Sequence, residues 1–556
     1  MPSADSTRPA GSELLFVEPP LDRLREMLAD RAPLAPAPVA CAPLAPAPLA
    51  PAPLAPVMTH RAEDGSRLLG GRRLPDWARV TREELSLPMD VPVVATGHQA
   101  AFWHPGVVAK LIVAQRLAAA VGGACVHIVV EQDVEPVARI HLPVRTAGLP
   151  VRTAGLPVRT ADLPVRTADL PVRTAGLPVR TAGLPVRTAG LPVRTAGEFG
   201  GELRERIVDL LEQPEGPVVG VVPALVPIDG LPEDSSVLAL PRADDAVARA
   251  IAALARRRTE PNVAMQVTRA AFDLLEPMVS AMALIGSSEL LHTSLGRAVL
   301  AEIARDPEAC ARTYNAALDP SERAASLLRI ERDRAEVPLW RLDQDGRRLR
   351  AWDDDLERFA AGEVRLMPRA LLMTALLRLG VCDLFIHGLG GGTYDHAMER
   401  WIRGWLGIEV APMAVATATL TLPLLAPDLE HAPTLATALA AQRRVHFDPA
   451  AEAGSAGVVR SVTGGAGPSL AKRAALARIA MLPRGSSERR AAWRAMHEEL
   501  AEARKAHAAS LRLADESLER ARRASRERPI ANSRLWPFFL YEPEQFAQAF
   551  QAFDSA

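Results

Sequence analysis

VPVVATGHQAAFWHPGVVAKLIVAQRLAAAVGGACVHIVVEQDVEP, residues 91–136, decides the fold class. VPVVATG (91–97) is a short apolar, β-branched run that ends in glycine. GVVAKLIVAQRLAAAV (106–121) carries apolar residues at helical spacing. CVHIVV (125–130) is a second buried-strand pattern, and it ends in Glu131, Gln132 and Asp133. Strand, loop, helix, strand is a βαβ unit, and such a unit demands a parallel sheet. The expected fold is therefore α/β. In parallel sheets ligands sit beyond the carboxyl ends of the strands. TGHQAAFWHPG (96–106) and EQDVEP (131–136) both fall at that edge.

Working outward, a further β–loop–α unit follows late in the chain. VCDLFIH (381–387) reads as a strand and GLGGG (388–392) as a flexible loop. TYDHAMERWIRGWLG (393–407) reads as a helix with Thr393 as its N-cap. APMAVATATLTLPLL (411–425) and VVGVVPALVPI (218–228) are strand-like, and Val267 to Arg305 is mostly helical. From Ser487 to Arg526 an apolar seam at three-four spacing predicts one long helix. Its partner is either the 470–480 helix in an antiparallel hairpin or another chain in a coiled coil. The aromatic SRLWPFFLYEPEQFAQAF (533–550) is expected to pack the tail on the body.

Two tracts lie outside this pattern. APLAPAPVACAPLAPAPLAPAPLAPV (32–57) has proline every two or three residues, so it reads as an extended linker. LPVRTA followed by Gly or Asp repeats in perfect seven-residue steps from Leu142 to Gly197, eight copies in all. Proline in every copy forbids a continuous helix. The repeat reads as short strands or an expanded loop, since loop-closure cost grows slowly with length. The expected organisation is a disordered tail over 1–60, an α/β core over 61–430 interrupted by the 142–197 repeat, and a helical region over 431–556.

Composition excludes several classes. A chain of 556 residues with a hydrophobic fraction of 48% can bury a large core and is not wholly disordered. Its net charge of −1 argues against a general nucleic-acid or membrane-surface binder. Cys41, Cys125, Cys310 and Cys382 form no CxxC pair, which excludes a zinc ribbon and a disulfide scaffold. No apolar run is long enough to span a bilayer, and no secretory signal is evident. A cytoplasmic protein acting on a small-molecule substrate is the expectation.

The chemistry-bearing residues cluster at the two loops. In the first, Gly97, Gln99 and the backbone suit a phosphate or carboxylate. His98 and His104 either act as acid, base or donor, or are structural, with His104 capping and His98 packing. Lys110 is one of only three lysines and the first in the chain. It is either a solvated surface cation or a contact for an anion or a carbonyl. Glu131 and Asp133, two apart on extended backbone, would point the same way and either bind an amine, hold a divalent ion or act as base, or simply form a solvated strand end. In the second loop, Gly390 and Gly391 permit close approach of an anionic ligand, with His387, Tyr394, Asp395 and His396 adding polar groups. The spacing of these histidines matches no zinc pattern, so no metal is expected. Neither a P-loop nor a dinucleotide fingerprint is present.

VVATGHQAAFWHPGVVAKLIVAQRLA followed by HIVVEQDVEP resembles the N-terminal region of the bacillithiol biosynthesis cysteine-adding enzymes. There a strand ends in a TGQQ-type loop, a lysine-bearing helix follows, and the next strand ends in acidic residues. Here TGHQ replaces TGQQ, and HPG stands where the family has glycine-proline. The resemblance implies a Rossmann-like core related to nucleotidyltransferases and a coiled-coil segment that makes a homodimer through the C-terminal helices. It also implies a ligase that adds cysteine to a sugar-linked acceptor, with a nucleotide as the possible activating cofactor. His98, Glu131 and Asp133 would then be catalytic. Gly97, Gln99, His104, Lys110, His387, Gly390, Gly391, Tyr394 and Asp395 would bind substrate. The alternative is a non-catalytic small-molecule-binding protein that dimerises through its helices.

Overall fold

The computed structural model describes residues 14–29, 60–61, 67–69, 72–133, 137–146, 201–212, 220–231, 236–276, 278–280, 282–320, 325–449 and 469–554. The Pro/Ala tract and repeat copies two to eight lie outside them.

The βαβ reading of residues 91–133 holds. β4 (Val93–Gln99) and β5 (Ala124–Val130) pair in parallel, from Val93 opposite Ala124 to Gln99 opposite Val130. Between them runs the Pro105–Ala120 helix, apolar on nearly every face because it is buried on nearly every face. It starts where His104 Nδ1 accepts from Gly106 N at 3.1 Å and Pro105 presets the first turn. It stops at Val121, before Gly122, whose φ of 62° suits glycine.

Four more strands complete the central sheet: β1 (Leu14–Glu18), β9 (Ala283–Gly286), β13 (Leu384–His387) and β14 (Met413–Thr419). The order is β1-β14-β13-β4-β5-β9, and only β1 runs antiparallel to its neighbour. The chain lays β4, β5 and β9 outward on one side, then returns to lay β13 and β14 on the other. The topological switch lies between β4 and β13. One face of the sheet carries the Pro105–Ala120, Ala243–Arg256 and Val263–Leu275 helices. The other carries the Ser294–Arg305, Ala370–Gly380 and Leu389–Trp405 helices.

Several expectations need correction. Leu14–Ala29 belongs to the core: β1 pairs with β14, and Leu24 and Leu28 of the following helix are fully buried. Residues 142–146 of the first repeat copy form a strand, as the short-strand reading expects, but that strand belongs to the core instead of interrupting it. β6 (Arg139–Thr146) lies between β7 (Leu203–Asp209) and β8 (Ser236–Leu238), with Leu142 and Val144 buried. Its Arg145 reaches Leu424 O at 2.5 Å and the fully buried Glu527 at 3.4 Å. Residues 220–228 form no strand; Pro227 makes only an isolated bridge to Leu211. Within 267–305, β9 interrupts the helices.

The long C-terminal helix is two helices, Ser487–Ala506 and Ala508–Ala531, broken where His507 leaves helical geometry (ψ 27°). The seam is filled within the chain. Ala475 and Ile479 of the Leu470–Met481 helix pack on Ala492 and Met496. Ala438 of the Leu435–Phe447 helix packs on Leu518 and Ala521. The aromatic tail behaves as expected: Trp536, Phe538, Phe546 and Phe550 are buried in the main core.

Two small sheets remain. β2 (His60–Arg61) pairs with β3 (Arg67–Leu68). β10 (Glu336–Leu342) lies between β11 (Arg348–Trp352) and β12 (Arg365–Pro368). Among the described residues, no helix is long and apolar enough to cross a membrane.

Candidate functional site

At the switch, β4 and β13 end side by side and are tied by Thr96 Oγ1 donating to Ile386 O at 2.9 Å. A cavity of about 720 Å³ opens at their carboxyl ends. Both β–α junctions foreseen from sequence line it, through Gly97, His98, Gln99, His104 and Lys110 on one side and His387, Gly390, Gly391 and Tyr394 on the other. Asp133 lines it from the end of β5.

The β4 junction turns its side chains inward. Lys110 is only 4% exposed, and its Nζ donates to Gly97 O at 2.8 Å. Burial alone pushes its ammonium down to about 7. Desolvation, joined by the charge of Lys110, holds His98 well below its ordinary range. His104, spent on capping its own helix, is lowered to about 4 by burial and then by Arg534 and Lys110. Trp103 Nε1 donates to Gln99 O at 2.8 Å and fixes the loop from beneath.

The β13 junction is built differently. The glycines are the first turn of a helix, Leu389–Trp405, with Gly388 as N-cap and no side-chain cap. This corrects both the expected loop and the Thr393 cap. The N-terminal amides of such a helix have no carbonyl partner within it, and glycine leaves them reachable. Behind this turn stands a buried chain of charge. His387 Nε2 lies 2.9 Å from Asp395 Oδ2, which accepts from Arg378 Nη1 at 2.5 Å. Arg378 also pairs with Glu399 and donates to Ala411 O. Burial lowers the His387 pKa while Asp395 raises it, and the net direction is down. Burial raises Asp395, but His387 and Arg378 outweigh it and hold the carboxylate below its usual range. Tyr394, its phenol pushed up to about 12 by burial, meets the His387 ring edge-on at 5.5 Å.

Two expected site residues do not face the cavity. Asp395 sits behind His387 and positions it. Glu131 leaves the strand at its last residue, so the extended geometry that would have aligned it with Asp133 ends there. Its carboxylate instead accepts from Ser288 N at 2.8 Å, Ser288 Oγ at 2.6 Å and Asn262 Nδ2 at 2.7 Å. It holds the turn after β9.

The far wall was not foreseen. Trp340, Arg348 and Arg369 come from or flank the β10–β12 sheet, and Arg534 comes from the tail. Arg369 pairs with Glu336, donates to Leu339 O and lies 4.0 Å over the Trp340 ring. Arg534 donates to Thr417 Oγ1 and Ala418 O, both at 3.1 Å. The only advance signal was a tryptophan in a chain with 4% aromatics, and an arginine opening the aromatic tail.

Among the described lining residues, Lys110, Arg348, Arg369 and Arg534 face one carboxylate, Asp133. With neutral imidazoles beside them, this arrangement can hold an anion, accept or return a proton, and seat an amine at its acidic end. Cys125, Cys310 and Cys382 are buried, and burial keeps Cys382 protonated to about 12, so none of these thiols is a poised nucleophile. Among the described residues, no group of three or more metal-ligating side chains is assembled. Comparison of the chain with protein-family models and with curated proteins returned no match.

Proposed function

We propose that the chain is a carbon–nitrogen ligase that joins cysteine, or a similar amino acid, to the amine of a small sugar-linked acceptor. In this reading it is a divergent relative of the bacillithiol biosynthesis cysteine-adding enzymes with a Rossmann-like core. The observation that carries the reading is the meeting of the 97–110 motif, Asp133 and the 387–394 motif around one cavity at the sheet's switch point. The outward order of the five parallel strands from β4 supports the Rossmann-like assignment.

Asp133 holds the ammonium of the incoming amino acid. Arg534 holds one carboxylate, and Lys110 holds another when the arriving anion draws it into its protonated form. The acceptor nitrogen bonds to the amino acid's carboxyl carbon, and one carboxyl oxygen leaves with an activating phosphoryl group, which a nucleotide would supply. The proton lost by the attacking amine goes to a neutral imidazole, His98 or His387. The C-terminal helices pair two copies through apolar side chains outside the filled seam, an assignment supported by the exposure of Leu470, Met481 and Leu513.

The test is mass spectrometry of products after incubation with cysteine and a glucosamine–malate acceptor, with and without ATP. A product heavier by one cysteine residue, lost in Asp133→Ala with the fold intact, is the expected result. A melting shift without product would make this a binding protein. Neither shift nor product would sink the reading.

A further inference from the structure

The cavity contains a lysine whose surroundings suit an amine better than an ammonium ion. Lys110 is 4% exposed and lines an open cavity. Its one hydrogen-bond acceptor is a neutral carbonyl, Gly97 O, and no carboxylate contributes to its titration. The charge of Lys110, when present, in turn lowers His98, His104 and His387 around the same cavity. A desolvated lysine beside other cations is the arrangement that activates an amine toward carbonyl compounds. Around it stand the groups that would hold an anionic carbonyl compound in place. Arg348, Arg369 and Arg534 line the cavity together with Gly388, where an added Cβ would meet the Lys110 side chain at 3.8 Å.

We propose that Lys110 is a covalent carbonyl-capture site: it forms a Schiff base with a small aldehyde or 2-oxo acid that carries a carboxylate or phosphate. The Lys110 nitrogen adds to the carbonyl carbon, the amine gives up its two protons, and the carbonyl oxygen leaves as water. Neutral His98 or His387 relays a proton to that oxygen. No oxidant or reductant is consumed, and the bond is reversible by hydrolysis. The proposal does not depend on the ligase reading, because capture needs neither cysteine nor turnover.

The sequence supplies its own controls. The other two lysines, Lys472 and Lys505, lie on the helical hairpin and do not line the cavity. The experiment incubates the intact protein with glyoxylate at pH 7, traps imines with cyanoborohydride, and maps the modified peptides by mass spectrometry. Lys110 should be labelled at least about tenfold more than Lys472 or Lys505, because burial gives it a large free-base fraction at that pH. Acetaldehyde, which lacks the anion, should label it less. Succinate, an anion without a carbonyl, should protect Lys110 and leave the other two unchanged. Equal labelling of all three lysines, or an unlabelled Lys110, overturns the proposal. All of these readouts use the native chain, so a failure of Lys110 variants to fold cannot obscure them. A failed product assay with successful trapping removes the ligase reading and leaves this one standing.

Discussion

β4 runs into a helix capped by an imidazole, and β13, its neighbour in the sheet, runs into a helix capped only by glycine. The first junction spends its polar side chains on itself: His104 caps, and Lys110 pins Gly97 O. The second leaves its front open and buries its charges behind, in the His387–Asp395–Arg378 series. The difference teaches how one cavity obtains both a desolvated amine and a reachable set of amides. The amine comes from the crowded junction and the amides from the empty one.

The comparison breaks most sharply at Lys110. Unfolded, it titrates near 10.5; folded, near 7. Between those values the unfolded chain holds a proton that the folded chain lacks. Stability therefore rises with pH from about 7 to about 10.5, and below 7 the full cost of the buried charge is present. That cost is up to about 5 kcal/mol at about 1.4 kcal/mol per pKa unit. Lys110→Met should remove the slope, so the stability gap between variant and wild type narrows as pH climbs through that window. Urea melts at several pH values measure it. A gap that does not change with pH would mean that Lys110 is hydrated in the native protein.

The β13 junction should break next, and from behind. Arg378→Met leaves Asp395, which has no solvent exposure, without its cation. Stranding one member of a buried pair costs about 3–5 kcal/mol. Chemical denaturation should show that loss at neutral pH. A loss below about 1 kcal/mol would mean that water reaches Asp395.

The two glycines of the same turn sharpen the comparison at lower energy. An alanine Cβ at Gly391 would collide with His387 Nδ1, whereas at Gly390 it meets nothing within 4 Å. Both substitutions favour helix, by up to about 1 kcal/mol, so neither should melt the turn. Gly391→Ala displaces the imidazole and should slow product formation about 10²-fold. Gly390→Ala should stay within about twofold. Equal rates for the two variants would remove His387 from the reaction.

What sequence reading reached, and what it missed, follows from the distance along the chain over which each feature is specified. β4, its helix and β5 are specified locally, because each is buried on both sides and so is continuously apolar. His387 was legible for the same reason, at the end of a buried strand. The neighbour relation of β13 and β4 was not, since it depends on a return across the sheet after nearly 300 intervening residues. Nor were Arg348, Arg369 and Arg534: a lone arginine carries no periodicity, and these meet only because the β10–β12 sheet and the tail fold over one edge. Glu131 was misread because residue spacing fixes side-chain direction only while the backbone stays extended, and β5 ends at Val130.

The repeat should be the quietest region of all. Copy one supplies β6, and its Arg145 is anchored by Leu424 O and Glu527. The hairpin closes immediately beyond, where Thr146 N donates to Glu202 O at 3.2 Å and Arg145 pairs with Leu203. Among the described residues, that closure is made by Arg145, Thr146, Glu202 and Leu203. Deleting residues 149–197 leaves 147–148 and 198–200 to join Thr146 to Gly201, a length suited to a hairpin connection. Shortening the connection reduces its closure entropy, so the change should be stabilising and at most about 2 kcal/mol. Product formation and Lys110 trapping should match wild type, because both junctions belong to the central sheet and not to this one. Thermal melting and the trapping assay on the deletion variant check both statements. A destabilised variant would show that later copies, identical in sequence to the first through LPVRTA, have taken on packing of their own.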